Sequence, residues 1–348
     1  MNVPPALLWG VRRYLAAPQA RIVAVQRQPF PGGLSGSRFE FWRLRLRQAG
    51  ATASLALVYK HGSVVAGALM QGAAQREALA YAALPEWAPL TLPAIVAADA
   101  PAGDIWMLPF PPVKHATHWR ADWDEADVRA VIADLARLHA TFWGHHDAPR
   151  AWSWLLHPTG KDAGRLLDDG RSGLAALAAA QDYDDILTPN RVGALLALAR
   201  NPTPLLDALN AGPQTLLHGD AGFQNVAITR DGRERIWYDW QLVSWGSPAL
   251  DWVTFLHPWG YPEADLRIPP EEMTAFYLHI LARLGVTLTE DVFSRQLDAA
   301  FLWRWLIQWG PLLGKYRVRL QPEVYARLGQ AFARYHWPAL ERWRTGPR

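Results

Sequence analysis

The apolar pattern of this chain changes from mainly strand-like to mainly helical, and the change falls at a cluster of prolines. Up to residue 108 apolar residues recur mostly at every second position, interrupted by one helix-like stretch; beyond residue 122 they recur at helical spacing. Between the two stand Pro109, Pro111 and Pro112, which lock φ and lack N–H donors, so they form a stiff extended connector. A chain patterned this way is expected to fold as α+β, in two lobes, with a strand-rich first part and a mainly helical second part.

In the first part, residues 21–28 alternate weakly through Ile22, Val23 and Val25. Residues 39–46 alternate cleanly, with Glu40, Trp42, Leu44 and Leu46 opposite Phe39, Phe41, Arg43 and Arg45. A third strand is expected over 55–60, ending on Lys60. Ala, Leu, Gln and Glu over 64–84 predict a helix, stopped by Pro85 and Pro89. Two more strands are expected over 92–98 and 105–108. Beyond the prolines, Val128, Val131, Ile132, Leu135, Leu138 and Phe142 share one face of a helix over 124–143, with Asp122 or Asp124 to cap it. Further helices are expected over 165–180, 191–209 and from 271 onward, one of them carrying Trp303, Trp305 and Trp309. Residues 215–251 break the pattern with short strands and loops.

Composition narrows the function classes. Half of the 348 residues are apolar and 19% are charged, the profile of a chain that folds around a sizeable core. The net charge is only +3 and Arg is scattered among Asp and Glu, so no basic face points to nucleic acid. With no cysteine, disulfides, thiolate zinc sites and cysteine nucleophiles are excluded. No apolar run approaches the ~20 residues of a membrane span. Residues 1–20, with Pro4, Pro5, Arg12 and Arg13, lack the apolar centre of a signal peptide, and a cytoplasmic location is expected. Lysine occurs only at positions 60, 114, 161 and 315 among 35 basic residues, which makes each of them informative.

The chemistry concentrates in residues 216–251. Asp220 and Asn225 share the loop His218-Gly219-Asp220-Ala221-Gly222-Phe223-Gln224-Asn225, and the short apolar run Ile236-Trp237-Tyr238 ends on Asp239. Such oxygens suit Mg²⁺, which is held by one or two side chains plus substrate phosphates. Asn225 and Asp239 could supply them from adjacent loops, leaving Asp220 to accept a proton from an attacking hydroxyl. A single Asp–Asn pair would be ordinary turn chemistry. His218, Asp220, Asn225, Asp239 and Asp251 in this order are far more specific.

The order His218-x-Asp220-x4-Asn225 followed by Asp239 resembles the catalytic loop and metal-binding Asp of the aminoglycoside phosphotransferase and choline kinase group, which shares the protein-kinase fold. The run Asp239-Trp240-Gln241-x4-Gly246-Ser247-Pro248-Ala249-Leu250-Asp251 is most similar to the ecdysteroid-kinase-like branch, and Leu135-Ala136-Arg137-Leu138-His139-Ala140 also matches the group. The resemblance implies a small nucleotide-binding lobe over 1–110, with a five-stranded antiparallel sheet plus helix, and a larger, mainly helical lobe over 111–348 for catalysis and the acceptor. It implies transfer of the γ-phosphoryl group of ATP, or GTP, to a small-molecule hydroxyl with Mg²⁺. Asp220 would be the catalytic base, His218 would brace the loop, and Asn225 and Asp239 would hold the metal. Asp251 would fix the loop through backbone or histidine contacts. Residues 105–110 would be the hinge that meets the adenine edge, with Met107, Leu108 and Phe110 nearby.

Phosphoryl transfer on such a fold also needs a cation on the α/β-phosphates and a carboxylate to hold it. Lys60 and Glu77 stand in the right order, although singly they read as a strand-end lysine and a solvated helical glutamate. Glu86 is a poor rival because it follows Pro85. Gly32, Gly33 and Gly36 let backbone N–H groups approach phosphate, and Ser35 and Ser37 add hydroxyls. The Gly33-x-x-Gly36 spacing equally fits a plain hairpin turn.

Two other readings stand beside this one. A non-catalytic nucleotide-binding protein is disfavoured because every catalytic position is filled; a protein kinase is disfavoured by Asp239-Trp240-Gln241 and the lack of an Ala-Pro-Glu-type segment. His145-His146-Asp147, in a polar turn, is not expected to hold a metal, and His139 is expected to be a buried, hydrogen-bonded packing residue. The helical Trp cluster reads mainly as core, with some rings available to an acceptor. The C-terminal third carries Trp, Phe and Arg with acids spread thinly, which fits an apolar or sugar-like alcohol better than a polycation.

Overall fold

Alternating apolar residues in the first third build a five-stranded antiparallel sheet. Its strands are β1 (Arg21–Phe30), β2 (Arg38–Gln48), β3 (Ala51–His61), β4 (Ile95–Asp99) and β5 (Asp104–Met107), in the order β1-β2-β3-β5-β4. The computed structural model describes residues 3–30, 37–48, 50–62, 67–116, 122–145, 147, 152–180, 186–257, 267–317 and 322–345. The chain divides into two compact units: 1–66, 70–113 and 227–242 form the first, and 67–69, 114–226 and 243–348 the second.

In the first unit, Trp42, Leu44 and Leu46 of β2 are buried as their alternation predicts, together with Leu57, Tyr59, Val96 and Trp106. The weak alternation of β1 has a simple cause: it is an edge strand and none of its residues is buried. A helix absent from the sequence reading, α1 (Pro5–Tyr14), covers the sheet with Leu7 and Val11. Pro5 at its first turn pre-sets φ. Gly10 lets it approach β4, where an added Cβ would stand 2.2 Å from the Val96 carbonyl oxygen.

The helix expected over 64–84 is shorter. α2 spans Ala73–Ala83, and Gly72 precedes it with φ of 72°, a left-handed conformation that an α-helix cannot pass through. Residues 64–66 of that expectation lie outside the described residues. Late in the chain, the short strands Val226–Ile228 and Arg235–Trp237 pair with each other. The Trp237 N–H donates to the Thr91 carbonyl at 2.9 Å, which ties this hairpin to the first unit.

The second unit holds α3 (Glu125–Thr141), α4 (Ala163–Ala180), α5 (Pro189–Arg200), α6 (Thr203–Leu209), α7 (Ala249–Leu256), α8 (Pro270–Arg283), α9 (Glu290–Arg304), α10 (Pro322–Ala331) and α11 (Trp337–Thr345). On α3 the predicted apolar face is buried, and Asp124 caps it in a reciprocal box with Asp127. The single helix expected over 191–209 is two, α5 and α6, because Pro202 lacks the N–H that would continue the ladder. The tryptophan-bearing helix is not regular either: after Arg304 the chain widens into π-turns at Trp305–Trp309 and Pro311–Lys315. Among the described residues no helix is long and apolar enough to cross a membrane.

Candidate active site

In the first unit β3 delivers Lys60 and α2 delivers Glu77 to one buried point. Lys60 Nζ lies 2.7 Å from Glu77 Oε2 and 2.5 Å from Asp239 Oδ1. The lysine is 2% exposed and the glutamate 1%, so neither is the solvated side chain each could have been in isolation. Burial disfavours the ammonium, but the carboxylates of Asp239 and Glu77 outweigh it and raise Lys60 above the ordinary lysine range. Burial pushes the Glu77 carboxyl up to about 7; Lys60 pulls it down and the Asp239 carboxylate adds to the rise. Asp239 has φ of 66°, an uncommon conformation for a residue with a side chain, and its N–H donates to the Tyr81 hydroxyl at 3.1 Å. Tyr81, one turn beyond Glu77 on α2, also donates to Glu77 Oε1 at 3.4 Å.

In the segment expected to meet the adenine edge, Met107 of β5 pairs with Val58 of β3. The Leu108 N–H donates to the Ala94 carbonyl at 2.9 Å. Of the proposed phosphate loop, Gly32, Gly33, Ser35 and Gly36 lie outside the described residues; Ser37 is buried at its end.

In the second unit the loop after Thr215–Leu217 is held from below by Asp251 of α7. Both carboxylate oxygens are used: Oδ2 accepts from His218 N–H and Oδ1 from Gly219 N–H, each at 2.7 Å. His139 of α3 adds a contact to Asp251 Oδ2 at 3.2 Å, and Tyr277 lies 2.7 Å from its other ring nitrogen. The Asp220 N–H donates to His218 Nδ1 at 3.3 Å. Asn225 Nδ2 donates to the Asp220 backbone oxygen at 2.8 Å and to Asp220 Oδ2 at 3.0 Å. This arrangement presents a carboxylate whose position is set by its neighbours on the loop, the requirement for orienting a hydroxyl.

The model of the phosphotransferase enzyme family matches residues 27–270. The chain belongs to that family. As a member it is a small-molecule phosphotransferase with a protein-kinase-like α+β fold. Solved structures share the fold at low identity. Macrolide 2'-phosphotransferase type I is 15% identical with a TM-score of 0.53, over 97% of this chain and 99% of its own. The ADP-bound aminoglycoside phosphotransferase APH(2'')-Ib is 11% identical with a TM-score of 0.51, over 97% and 99%. An ethanolamine kinase of Plasmodium vivax is 11% identical with a TM-score of 0.52, over 88% and 82%. No curated protein matches the chain in sequence.

Two residues packed around the Lys60 cluster escaped the sequence reading. Tyr81 had a usable signal, since it follows Glu77 at helical spacing on the same face. Arg76 had none: it is 6% exposed, and its Nε donates at 3.2 Å to the Gln241 carbonyl, just past Asp239 in the chain.

Proposed function

We propose that this phosphotransferase moves the γ-phosphoryl group of ATP to a hydroxyl of a small molecule, with Mg²⁺ as its metal. The carrying observation is the buried Lys60 between Glu77 and Asp239, a cation kept charged for phosphate oxygens. The ADP-bound neighbour supports a nucleotide donor. The macrolide, aminoglycoside and ethanolamine enzymes among its neighbours support a small-molecule acceptor.

Lys60 would contact the α/β-phosphates, Gly33, Ser35, Gly36 and Ser37 would close over them, and Met107 and Leu108 would border the adenine. Asp239 meets Lys60 through Oδ1 and Asn225 meets Asp220 through Nδ2. Their remaining oxygens are hard donors that fit Mg²⁺. The ion, when bound, neutralises charge on the transferring group. Asp220 would accept the proton of the acceptor hydroxyl while its oxygen forms a bond to the γ-phosphorus. The bond to the β–γ bridging oxygen breaks, and ADP leaves with that electron pair.

A library of hydroxyl compounds scored by ATP consumption tests this. In Asp220→Asn, turnover of any hit should fall by roughly 10²–10⁴-fold, with ADP affinity preserved. Undiminished turnover would remove Asp220 from the mechanism.

A further inference from the structure

β1, β2 and β3 carry opposite chemistry on the two faces of the sheet. On β2 the buried residues are Trp42, Leu44 and Leu46, while Arg43, Arg45 and Arg47 are exposed, so the three arginines point away from the core. Pairing across the sheet fixes their neighbours. Arg47 stands between Arg21 of β1 and Thr52 of β3, Arg45 between Ala24 and Ser54, and Arg43 between Gln26 and Ala56. Directly paired residues share a face, and Arg21, Thr52 and Ser54 are exposed like the arginines. A row of guanidiniums therefore follows β2 at intervals of about 7 Å, with Arg21 beside its far end.

The arginines of the two faces differ in what they meet. On the core side Arg27 lies over the Trp42 ring, 4.2 Å from its centroid, and Arg38 reaches Glu40 at 3.4 Å. Glu40 is the only acid of the three strands, and it belongs to that side, where Trp42 Nε1 donates to it at 2.8 Å. On the other side the side chains of Arg21, Arg43, Arg45 and Arg47 make no ion pair or hydrogen bond among the described residues. Arg21 directly opposite Arg47 is a like-charge pair, which weakens a sheet. Four unpaired cations on one face, in a chain whose net charge is only +3, call for an anion from outside.

The array narrows the kind of anion. Three guanidiniums in line match a linear polyanion. Their planar forks, with the Thr52 and Ser54 hydroxyls alongside, suit phosphate oxygens. A membrane surface would be met by large apolar side chains among the cations, and the residues beside the arginines are Ala, Gln, Ser and Thr. The same row of β2 continues into Phe41 and Phe39, and Phe30, 41% exposed, lies 5.6 Å from Phe39. Aromatic side chains on a sheet face are a surface on which unstacked bases lie.

We propose that this face binds single-stranded nucleic acid, its phosphates tracking Arg43, Arg45 and Arg47, with Arg21 flanking the last. The arginines are scattered along the sequence, but strand alternation and pairing gather these four.

Fluorescence anisotropy of a labelled oligothymidylate of about twelve nucleotides, titrated with the full chain over a range of salt, reads the contact. Each neutralised phosphate adds about −0.7 to the slope of log affinity against log salt, so wild type should give about −3. Arg45→Gln and Arg47→Gln should each bring the slope about 0.7 nearer zero and weaken binding about fivefold at about 0.1 M salt. The triple variant Arg43→Gln/Arg45→Gln/Arg47→Gln should leave a slope of about −0.7. Arg13→Gln, also exposed but on α1 over the core side, should match wild type. If the triple variant does not fold, the two single variants decide. The proposal is overturned if wild type does not bind at about 50 mM salt, if Arg45→Gln and Arg47→Gln keep the wild-type slope, or if Arg13→Gln moves it as far as they do. Tighter binding of phosphatidylglycerol vesicles or of oligoglutamate at equal charge overturns it in favour of a membrane or an acidic protein. Saturating ADP with Mg²⁺ should leave the slope unchanged; loss of all binding would confine the strand to the proposed donor site and overturn it too.

Discussion

Glu77 shows how one side chain couples the site to the stability of the fold. Its carboxyl is pushed up to about 7 from an ordinary 4.5, chiefly by burial. The folded state therefore binds this proton more tightly than the unfolded chain does. The stability it contributes is fully present below pH 4.5 and is lost as pH rises through about 7. Glu77→Gln removes the titration, so its denaturant midpoint should vary less between those pH values than that of wild type. The difference should be on the order of a few kcal/mol across the window. Parallel pH profiles for the two proteins would show that Glu77 is not the group responsible. The identity of this glutamate was legible in the sequence from its order after Lys60 and its place in a helix. Its titration was not, because that depends chiefly on burial by tertiary packing, with the Asp239 carboxylate, from far along the chain, adding to the rise.

At the scale of elements, legibility followed how much of an element's stability is local. α3 was readable because one apolar stripe and one cap define it. α1 was not, because its burial depends on a sheet that forms from later residues. The packing of α4 shows the same dependence. A Cβ at Gly170 would stand 1.9 Å from the Leu306 carbonyl oxygen, and one at Gly173 would stand 2.2 Å from that of Gly310. α4 thus meets the π-turn segment backbone to backbone. Gly173→Ala should lower the thermal midpoint, at a cost of about 1–3 kcal/mol from overpacking. Gly164→Ala, on the same helix with nothing within 4 Å of the added Cβ, should be neutral or stabilise by up to about 1 kcal/mol. Equal midpoints for the two variants in calorimetry would argue against the close contact.

For the whole molecule, nucleotide binding should register as global stability. ADP with Mg²⁺ at a hundredfold excess over its Kd should stabilise wild type by about 2.7 kcal/mol, seen as a rise in thermal midpoint. Lys60→Met should remove most of that rise, since the buried cation between Glu77 and Asp239 is the proposed phosphate contact. An undiminished shift in the variant would exclude that contact. Residues 227–242, including Asp239, belong to the same compact unit as Lys60 and Glu77, while Asp220 and Asn225 belong to the other.

Sequence alone determined the α+β class, the strands and α3, because hydrophobic period and proline placement are properties of the chain itself; motif order named the residues expected to do the chemistry. It also placed His139 in the core as a hydrogen-bonded residue and made Asp251 a brace through backbone and histidine contacts, and the structure shows both, with Asp251 holding the loop at His218 and Gly219. Only tertiary structure decided that Lys60 is buried between two carboxylates and that both Asp251 oxygens hold backbone N–H groups. Burial, field and hydrogen-bond satisfaction arise between residues distant in the chain, and no local pattern encodes them.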